Sequence, residues 1–338
     1  MADKYSLRFG ALGAARITPN ALIQPVKEVA EAALVAIAAR DSKRAQEFAA
    51  AHGIPRVHAT YEDVINDPEV DVIYNPLPNS LHCEWTIAAL RAGKHVLCEK
   101  PLASNAAEAQ RMADVAKETG RFLGEAFHYR YHPLAQRVRE IIKGGTLGRL
   151  LHLEGAFSVP RPQATNSHSW SLGGGATMDL GSYPLHMLRE FSGLMPRVLN
   201  ASAQTAPKNI DVAMEVDLEM AGRVPARMKC SMAPDAVRGS MFTARGDRGE
   251  LTIVNPVAPH QGNQITLTTD AGVKQETIAG DTSYTCQLRA FVAQIRGDQT
   301  FPTNGAEGVI NMRIIDDVYR AACLPPRGTG TLSRFSHN

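Results

Sequence analysis

Leu7-Arg8-Phe9-Gly10-Ala11-Leu12 is a short apolar run that passes directly into Gly13-Ala14-Ala15-Arg16-Ile17-Thr18 and then into a helical stretch reaching Val29. The same punctuation repeats downstream. Leu34-Val35-Ala36-Ile37-Ala38 reads as a second strand, followed by a helix over Ser42–His52 that stops at Gly53. Val70-Asp71-Val72-Ile73-Tyr74 is another strand, closing at Asn75-Pro76-Leu77-Pro78-Asn79. A helix over Leu81–Ala92 stops at Gly93, and His95-Val96-Leu97-Cys98 is the next strand. Strands alternating with helices across short glycine and proline turns predict a parallel, doubly wound α/β sheet, here over residues 1–128.

The glycine loop by itself says less. A GxGxxG turn supplies a tight bend, close backbone approach to a pyrophosphate, and close helix packing. Only Gly13 fits; Ala15 and Thr18 hold the other two places, so an ordinary strand-to-helix turn is the plain alternative. Its place after the first strand and at the start of a helix favours a dinucleotide site, with Gly13, Ala15, Arg16 and Ile17 against the phosphates. The second strand ends in Ala39-Arg40-Asp41-Ser42-Lys43-Arg44. Arg40 and Arg44, four residues apart, suit a 2′-phosphate from the start of a helix capped by Ser42, which favours NADP. NAD stays open through Asp41 in the ribose-binding role, and a solvated basic helix start is the bland alternative.

Bulk properties narrow the class. The chain has 338 residues, enough for two cores, with 36 basic against 34 acidic residues and no basic tail or stripe of the kind nucleic acid requires. The polar stretch Met1–Arg8 is unlike a signal peptide, and no apolar run approaches the ~18 residues that span a membrane. Five scattered cysteines without CxxC spacing fit neither a disulfide framework nor a zinc site and point to a reducing cytoplasm. The 11 histidines form no HExxH pair, and no metal is expected.

Two further segments carry chemistry. Cys98-Glu99-Lys100-Pro101 ends a strand with a lysine before a proline, which favours extended geometry there. Gly173-Gly174-Gly175-Ala176-Thr177-Met178-Asp179-Leu180-Gly181-Ser182-Tyr183 opens a helix expected over Ala176–Phe191, with Asp179 and Tyr183 at i and i+4 on one face and His186 continuing it. Moving hydride between carbon and a nicotinamide leaves the protein to manage the alcohol proton. A lysine ammonium beside Tyr183 would lower the phenol's pKa from ~10 by favouring phenolate, and Lys100 would stabilise a developing alkoxide. The bland alternatives are a core tyrosine, a surface lysine, and an acid favoured by the helix dipole.

With Asn75-Pro76-Leu77-Pro78-Asn79-Ser80-Leu81-His82, Ala92-Gly93-Lys94-His95-Val96-Leu97-Cys98-Glu99-Lys100-Pro101-Leu102, Glu125-Ala126-Phe127-His128-Tyr129-Arg130-Tyr131-His132-Pro133 and the Gly173–Tyr183 segment, the chain resembles the glucose–fructose oxidoreductase/inositol dehydrogenase (Gfo/Idh/MocA) family over nearly its whole length. The resemblance implies a Rossmann domain followed by an α+β domain with a large, open, mostly antiparallel sheet that often forms the oligomer interface. It also implies redox chemistry on sugars, cyclitols and related alcohols or ketones. Tyr183 stands where much of the family has histidine. It places the chain beside glucose–fructose oxidoreductase, dimeric dihydrodiol dehydrogenase and the xylose- or deoxysugar-type oxidoreductases. In the dihydrodiol type the second strand likewise ends in two arginines four apart, supporting NADP. By the same resemblance Pro78, Asn79 and His82 line the cofactor and Glu99 contacts the nicotinamide-side ribose. Lys100 and Tyr183 become the proton-handling pair, and Asp179 binds and orients a substrate hydroxyl. Tyr129 and Arg130 fall where substrate would enter, and His186 is a substrate ligand or an alternative proton carrier.

From Leu150 the texture changes to alternating segments: Leu151–Val159, Val212–Leu218, Ala226–Met232, Glu250–Val254 and Gln264–Thr268, as in half-buried antiparallel strands. Helices over Tyr284–Arg296 and Gly305–Cys323 close a second domain of residues 129–324, and residues 325–338 read as a mobile tail. A sheet covered on one face predicts a homodimer through the other, unless enough polar residues keep that face wet. The loop Ser158–Leu172 is expected to shape the pocket, with Trp170 stacking on a sugar ring. The function expected is an NADP-preferring oxidoreductase of sugar-like secondary alcohols. Trans-dihydrodiol dehydrogenase is the alternative among enzymes, and a non-catalytic NAD(P)-sensing regulator the alternative outside them.

Overall fold

The computed structural model describes residues 6–162, 165–206 and 209–328. Two compact units divide the chain: Met1–His128 with Tyr284–Ile310, and Tyr129–Ser283 with Asn311–Asn338.

The first unit is built on six strands, β1 (Leu7–Leu12), β2 (Ala32–Ala38), β3 (Arg56–Val57), β4 (Val72–Asn75), β5 (His95–Cys98) and β6 (Leu123–Glu125). All pair in parallel, in the order β3-β2-β1-β4-β5-β6. The connections carry α1 (Pro25–Glu28), α2 (Ser42–His52), α3 (Tyr61–Asn66), α4 (Asn79–Arg91) and α5 (Ala106–Thr119). Phe9, Ala11, Leu12, Val72, Ile73, Tyr74, Val96, Leu97 and Cys98 are wholly buried, as strands covered on both faces must be. The strand order reverses between β1 and β4, and in such sheets ligands bind beyond the carboxyl ends of the strands at that point.

Two local expectations change. The cap of α2 is Asp41 and not Ser42: Asp41 has extended backbone and accepts from the Arg44 amide at 3.1 Å, whereas Ser42 is already helical. The stretch after the glycine loop is not one helix to Val29 but a wide π turn, Pro19–Ile23, followed by the short α1. Each begins with a proline, which tolerates a first turn and interrupts a continuous helix.

The second unit holds α6 (Pro133–Lys143), β7 (Leu150–Ser158), α7 (Ser182–Ser192), β8 (Pro196–Ala206), β9 (Ile210–Met220), β10 (Val224–Ser231), β11 (Gly239–Gly246), β12 (Gly249–Val254), β13 (Gln264–Thr269) and β14 (Gly272–Glu276). The eight strands lie in the order β14-β13-β12-β11-β7-β10-β9-β8, antiparallel except between β7 and β10. Met214, Val216 and Leu218 of β9 and Met228 and Cys230 of β10 point to the buried face, each of the larger ones contributing ~1.5–3 kcal/mol. There α7 lies so close that a Cβ on Gly155 would meet Pro184 Cβ at 2.9 Å. The opposite face carries cross-strand ion pairs: Arg197–Glu219 (2.9 Å), Arg227–Glu215 (2.6 Å) and Lys229–Glu154 (3.6 Å).

The chain closes with α8 (Ser283–Arg296) and α9 (Gly305–Ala321). Residues 129–324 are not one block. Tyr284–Ile310 belongs to the first unit, where Phe291 and Phe301 form an aromatic cluster with Phe122, and Phe291 packs on Phe9. The tail expected to be loose from residue 325 is anchored in its described part, since Arg327 is wholly buried on Asp211. Residues 329–338 lie outside the described residues. Among the described residues no helix is long and apolar enough to cross a membrane, and no group of three or more His, Cys, Asp or Glu is placed to hold a metal ion.

Candidate active site

In the first unit, β1 ends at Gly13, whose φ of +88° is a conformation few L side chains adopt. Its amide donates to Ala38 O at 2.6 Å, and a Cβ there would crowd Leu77 at 3.1 Å. The amides of Ala14, Ala15, Arg16 and Ile17 then donate to no backbone carbonyl among the described residues. Four successive unspent amides at the carboxyl end of β1 are a fitting cradle for a pyrophosphate. Thr18, in the third glycine place, is wholly buried, so it packs the loop and does not face a ligand.

Arg40 is exposed at the end of β2, and Arg44 donates Nη2 to Ala14 O at 2.7 Å. Arg44 therefore ties the glycine loop to α2 and sets a second cation beside the ribose position. Asp41, the alternative NAD determinant, is engaged as the cap of α2. This set of donors fits a 2′-phosphate better than a pair of ribose hydroxyls.

The Glu-Lys-Pro turn follows β5. Glu99 accepts from the Tyr74 hydroxyl at 2.8 Å; burial raises the Glu99 pKa, while Tyr74 and the Lys100 ammonium pull it back. Lys100 is half-buried, and its peptide bond to Pro101 is cis. Pro78 is the residue before α4 and Asn79 its first; both are half-buried. His82 differs from expectation. It is fully buried, with Nδ1 3.0 Å from Pro101 O and Nε2 2.7 Å from Leu77 O, so it braces the turn after Lys100 and presents nothing to a cofactor. Burial, aided by Lys100, holds its pKa down at about 4 against the two carbonyl contacts. Glu125, also buried, clamps the same turn by accepting from the Leu102 amide at 2.8 Å. His128 is buried in a stack with Tyr284, ring centroids 4.0 Å apart.

In the second unit the helix bearing Asp179 and Tyr183 is not α throughout. Thr177–Gly181 is a π turn that runs into α7, a distortion often found at functional sites. Asp179 accepts from the Ser167 hydroxyl in a very short hydrogen bond and lies 3.8 Å from an Arg161 guanidinium nitrogen. Tyr183 is 6% exposed, its ring edge-on to Phe157 at 5.6 Å and tilted against Tyr129 at 6.0 Å. Such boxing fixes the phenol's direction.

The remaining candidates separate by burial. Tyr129 and His186 are 1% and 2% exposed and bond to each other, Tyr129 Oη to His186 Nδ1, at 2.5 Å. Burial, with Arg189 and Arg130 nearby, holds the imidazole pKa well below its usual value, so His186 is a neutral acceptor. The Tyr129 ring packs on both Tyr183 and His186, and both Tyr129 and His186 are buried and engaged with the protein. Arg130 is spent on Glu190 at 3.1 Å, which Arg139 shares at 2.7 Å. Trp170 is half-buried, with the Arg327 guanidinium 4.5 Å above its ring. Ser167, Arg161 and Arg327 were not among the expected site residues. Arg161 and Ser167 lie in the Ser158–Leu172 loop expected to shape the pocket, whereas Arg327 lies outside it.

Residues 7–127 match the family model described as oxidoreductase family, NAD-binding Rossmann fold, and residues 135–252 match the GFO/IDH/MocA C-terminal domain. A D-xylose 1-dehydrogenase (NADP(+)) of Haloferax volcanii is 34% identical over 321 residues, covering 94% of this chain and 97% of that one. A trans-1,2-dihydrobenzene-1,2-diol dehydrogenase of Macaca fuscata fuscata is 32% identical over 254 residues, covering 74% and 75%. The crystal structure of a 3-ketoreductase from Actinomadura kijaniata in complex with NADP and TDP-benzene superposes with a TM-score of 0.87 at 26% identity, covering 94% of this chain and 98% of that one. With both halves of its fold matched and a relative of this similarity along nearly its full length, the chain belongs to the Gfo/Idh/MocA family of oxidoreductases.

Proposed function

We propose that this protein is an NADP-preferring oxidoreductase that moves hydride between the nicotinamide and a secondary alcohol or ketone of a sugar or sugar-like substrate. The observation that carries it is the arrangement on the π turn and α7. Asp179, oriented by Ser167, and Tyr183, boxed by Phe157 and Tyr129, sit one turn apart on a rigid element. That suits a hydroxyl ligand next to a proton carrier.

NADP, when bound, supplies the hydride acceptor or donor. The unspent amides of residues 14–17 would hold its phosphates, and Arg40 and Arg44 would hold the 2′-phosphate. On the other side of the reaction Tyr183 exchanges a proton at the reacting substrate oxygen, and Lys100 donates a hydrogen bond to that oxygen as charge develops on it. Asp179 accepts from a neighbouring substrate hydroxyl. Glu99, held by Tyr74, is the ribose ligand. His186, neutral and bonded to Tyr129, supports the Tyr183 ring through Tyr129 and carries no proton in the reaction.

A homodimer through the outer face of the eight-stranded sheet belongs to the same proposal. Exposed Leu199, Met241 and Val254 lie among the cross-strand ion pairs of that face, a mixed surface that suits a partner copy. Five free cysteines, three of them buried, suit a reducing cytoplasm.

A dehydrogenase screen following reduced-cofactor absorbance tests the proposal, with aldoses led by D-xylose, cyclitols and trans-diols against NADP and NAD. Turnover of an aldose with NADP supports it. Turnover confined to cyclic trans-diols would favour the dihydrodiol assignment, and tight NADPH binding without turnover of any class would favour a sensor.

A further inference from the structure

The segment after α9 delivers one side chain that hydride chemistry does not explain. Arg327 is wholly buried, and so is Asp211 of β9. Arg327 Nη2 meets Asp211 Oδ1 at 2.5 Å, and Arg327 Nε donates to Gly174 O at 2.6 Å. The guanidinium lies between two rings, 4.5 Å from the centroid of Trp170 and 4.2 Å from that of Tyr319. Asp211 is equally committed: Oδ2 accepts from the Thr177 amide at 2.7 Å, and Oδ1 accepts from the Tyr319 hydroxyl at 3.0 Å.

The three-glycine run is shaped by this cluster. A Cβ on Gly174 would lie 2.5 Å from Ser167 O, and a Cβ on Gly175 would lie 2.2 Å from Asp211 Oδ1 and 2.8 Å from Arg327. Gly175 also has φ +137°. The backbone therefore threads between the Ser167 carbonyl and the buried ion pair on its way into the π turn. Three contacts of the pair end on the substrate side of the site, at the Gly174 carbonyl, the Thr177 amide two residues before Asp179 and the Trp170 ring, while Tyr319 of α9 and the Pro325 carbonyl hold the pair from the other side.

Burying an ion pair is a poor way to gain stability, because desolvation offsets most of the attraction and apolar residues serve as well. What a planar guanidinium and a carboxylate supply is direction, since the fork and the two carboxylate oxygens fix several partners at once. Here those partners are backbone groups of the turn that leads into the Asp179–Tyr183 helix.

We propose that Arg327 and Asp211 are positioning residues for the substrate side of the active site, fixing the Gly174–Thr177 turn and the Trp170 ring so that Asp179 and Tyr183 hold their reactive geometry. The proposal rests on the oxidoreductase assignment above for its kinetic consequence, though not for its structural one.

Two variants test it. Arg327→Lys keeps the charge for Asp211 but loses the planar fork and the stacking. Asp211→Asn with Arg327→Met removes both charges, so no unpaired buried ion is left to unfold the protein. In each full-length variant, kcat/KM for the best substrate should fall about 10–100-fold, the scale of a small misplacement of reacting groups. NADPH affinity, read by fluorescence titration, should stay within about twofold, because the cofactor cradle is built elsewhere. Hydrogen exchange at the Thr177 amide should speed up about tenfold or more in the double variant, while core amides of α7 keep their protection. In a Trp85→Phe background the emission of Trp170 should shift on loss of the guanidinium. A lowered Tm with unchanged kcat/KM would reduce the pair to a structural role and overturn the proposal, as would unchanged exchange at Thr177. If the unsubstituted protein turns over no substrate, the oxidoreductase assignment fails by itself, and exchange at Thr177 with Trp170 emission still decides whether Arg327 fixes the turn.

Discussion

Alanine at position 40 separates the two nicotinamide cofactors more cleanly than alanine at 44, because the two arginines do different work. Arg40 is exposed at the end of β2 and makes no ion pair among the described residues, so its proposed partner is the 2′-phosphate alone. Losing one charge-assisted contact costs ~1.5–3 kcal/mol, which is roughly 10–150-fold in the Kd for NADPH. NADH, lacking that phosphate, should bind Arg40→Ala as it binds the unsubstituted protein. Arg44 also holds Ala14 O at 2.7 Å, within the loop that cradles the pyrophosphate of either cofactor. Arg44→Ala should therefore weaken NADH as well, by the ~0.5–1.5 kcal/mol of an ordinary hydrogen bond, and NADPH by that amount plus its phosphate contact. Both side chains are exposed, so the preference should shrink when the salt is raised from about 0.05 to about 0.5 M, and the double variant should show little such change. Fluorescence titration of NADPH and NADH into the four proteins reads all of this. Equal losses for the two cofactors in Arg40→Ala would refute the 2′-phosphate assignment.

Tyr183→Phe keeps the packing against Phe157 and Tyr129 but removes the transferable proton, so kcat should fall ~10²–10⁴-fold with NADPH affinity unchanged; normal kcat would exclude Tyr183 as the proton carrier. Lys100→Met should also lower kcat steeply, and the double variant should lose far less than the product of the singles if the two act as one unit. Acid should destabilise the fold through His82: its folded pKa of about 4 lies below the unfolded ~6.5, so the unfolded chain takes up a proton first and stability present above pH ~6.5 is lost as pH falls toward 4. The full effect is roughly 3 kcal/mol. It should appear as a falling Tm from pH 7 to 4.5 that flattens in His82→Gln, and an equal slope in that variant would remove His82 as the cause. Light scattering should give twice the chain mass of 36.6 kDa, and a species that stays at one chain mass at high concentration would end the dimer proposal.

The strands legible in the sequence are those whose environment is uniform. β1 and β5 are covered on both faces over most of their length and read as apolar runs interrupted only by Arg8 and His95 near their starts, and their limits agree with expectation to the residue. β9 alternates because one face is buried against the Thr177–Gly181 π turn and the other meets water. β8 went unread for two physical reasons: it is an edge strand, and register shifts at Val198/Asn200 and Gln204/Thr205 break its period of two. β14, Gly272–Glu276, is short, polar and exposed at the other edge, so no apolar pattern marks it. β11 is masked by its glycine ends and by Met241, which faces outward where a polar residue would complete the alternation.

The site divides along a different line, between residues whose role lies in the local chain and residues whose role lies in what they meet. Gly13, Lys100, Asp179 and Tyr183 stand at positions fixed by the element they end or begin, so spacing marks them as candidates and the family resemblance supplies their proposed roles. His82, Tyr129 and His186 have the right spacing too, but each is buried and spends its polar atoms on the protein: His82 on Pro101 and Leu77, Tyr129 and His186 on each other. One-dimensional spacing places a side chain on a face without saying whether that face is open. Arg327 is the converse case. It lies 157 residues after Trp170 along the chain (327 − 170), in a stretch whose composition reads as a loose tail, and what gives a cation there a reason to fold inward is the buried carboxylate of Asp211 together with the Gly174 carbonyl and the Trp170 and Tyr319 rings. That dependence has a consequence for engineering: trimming this chain at its apparent end, before residue 327, should leave a buried charge on Asp211 without its partner beneath the turn that carries Asp179 and Tyr183, so the shorter protein should lose stability by about 3–5 kcal/mol as well as substrate turnover.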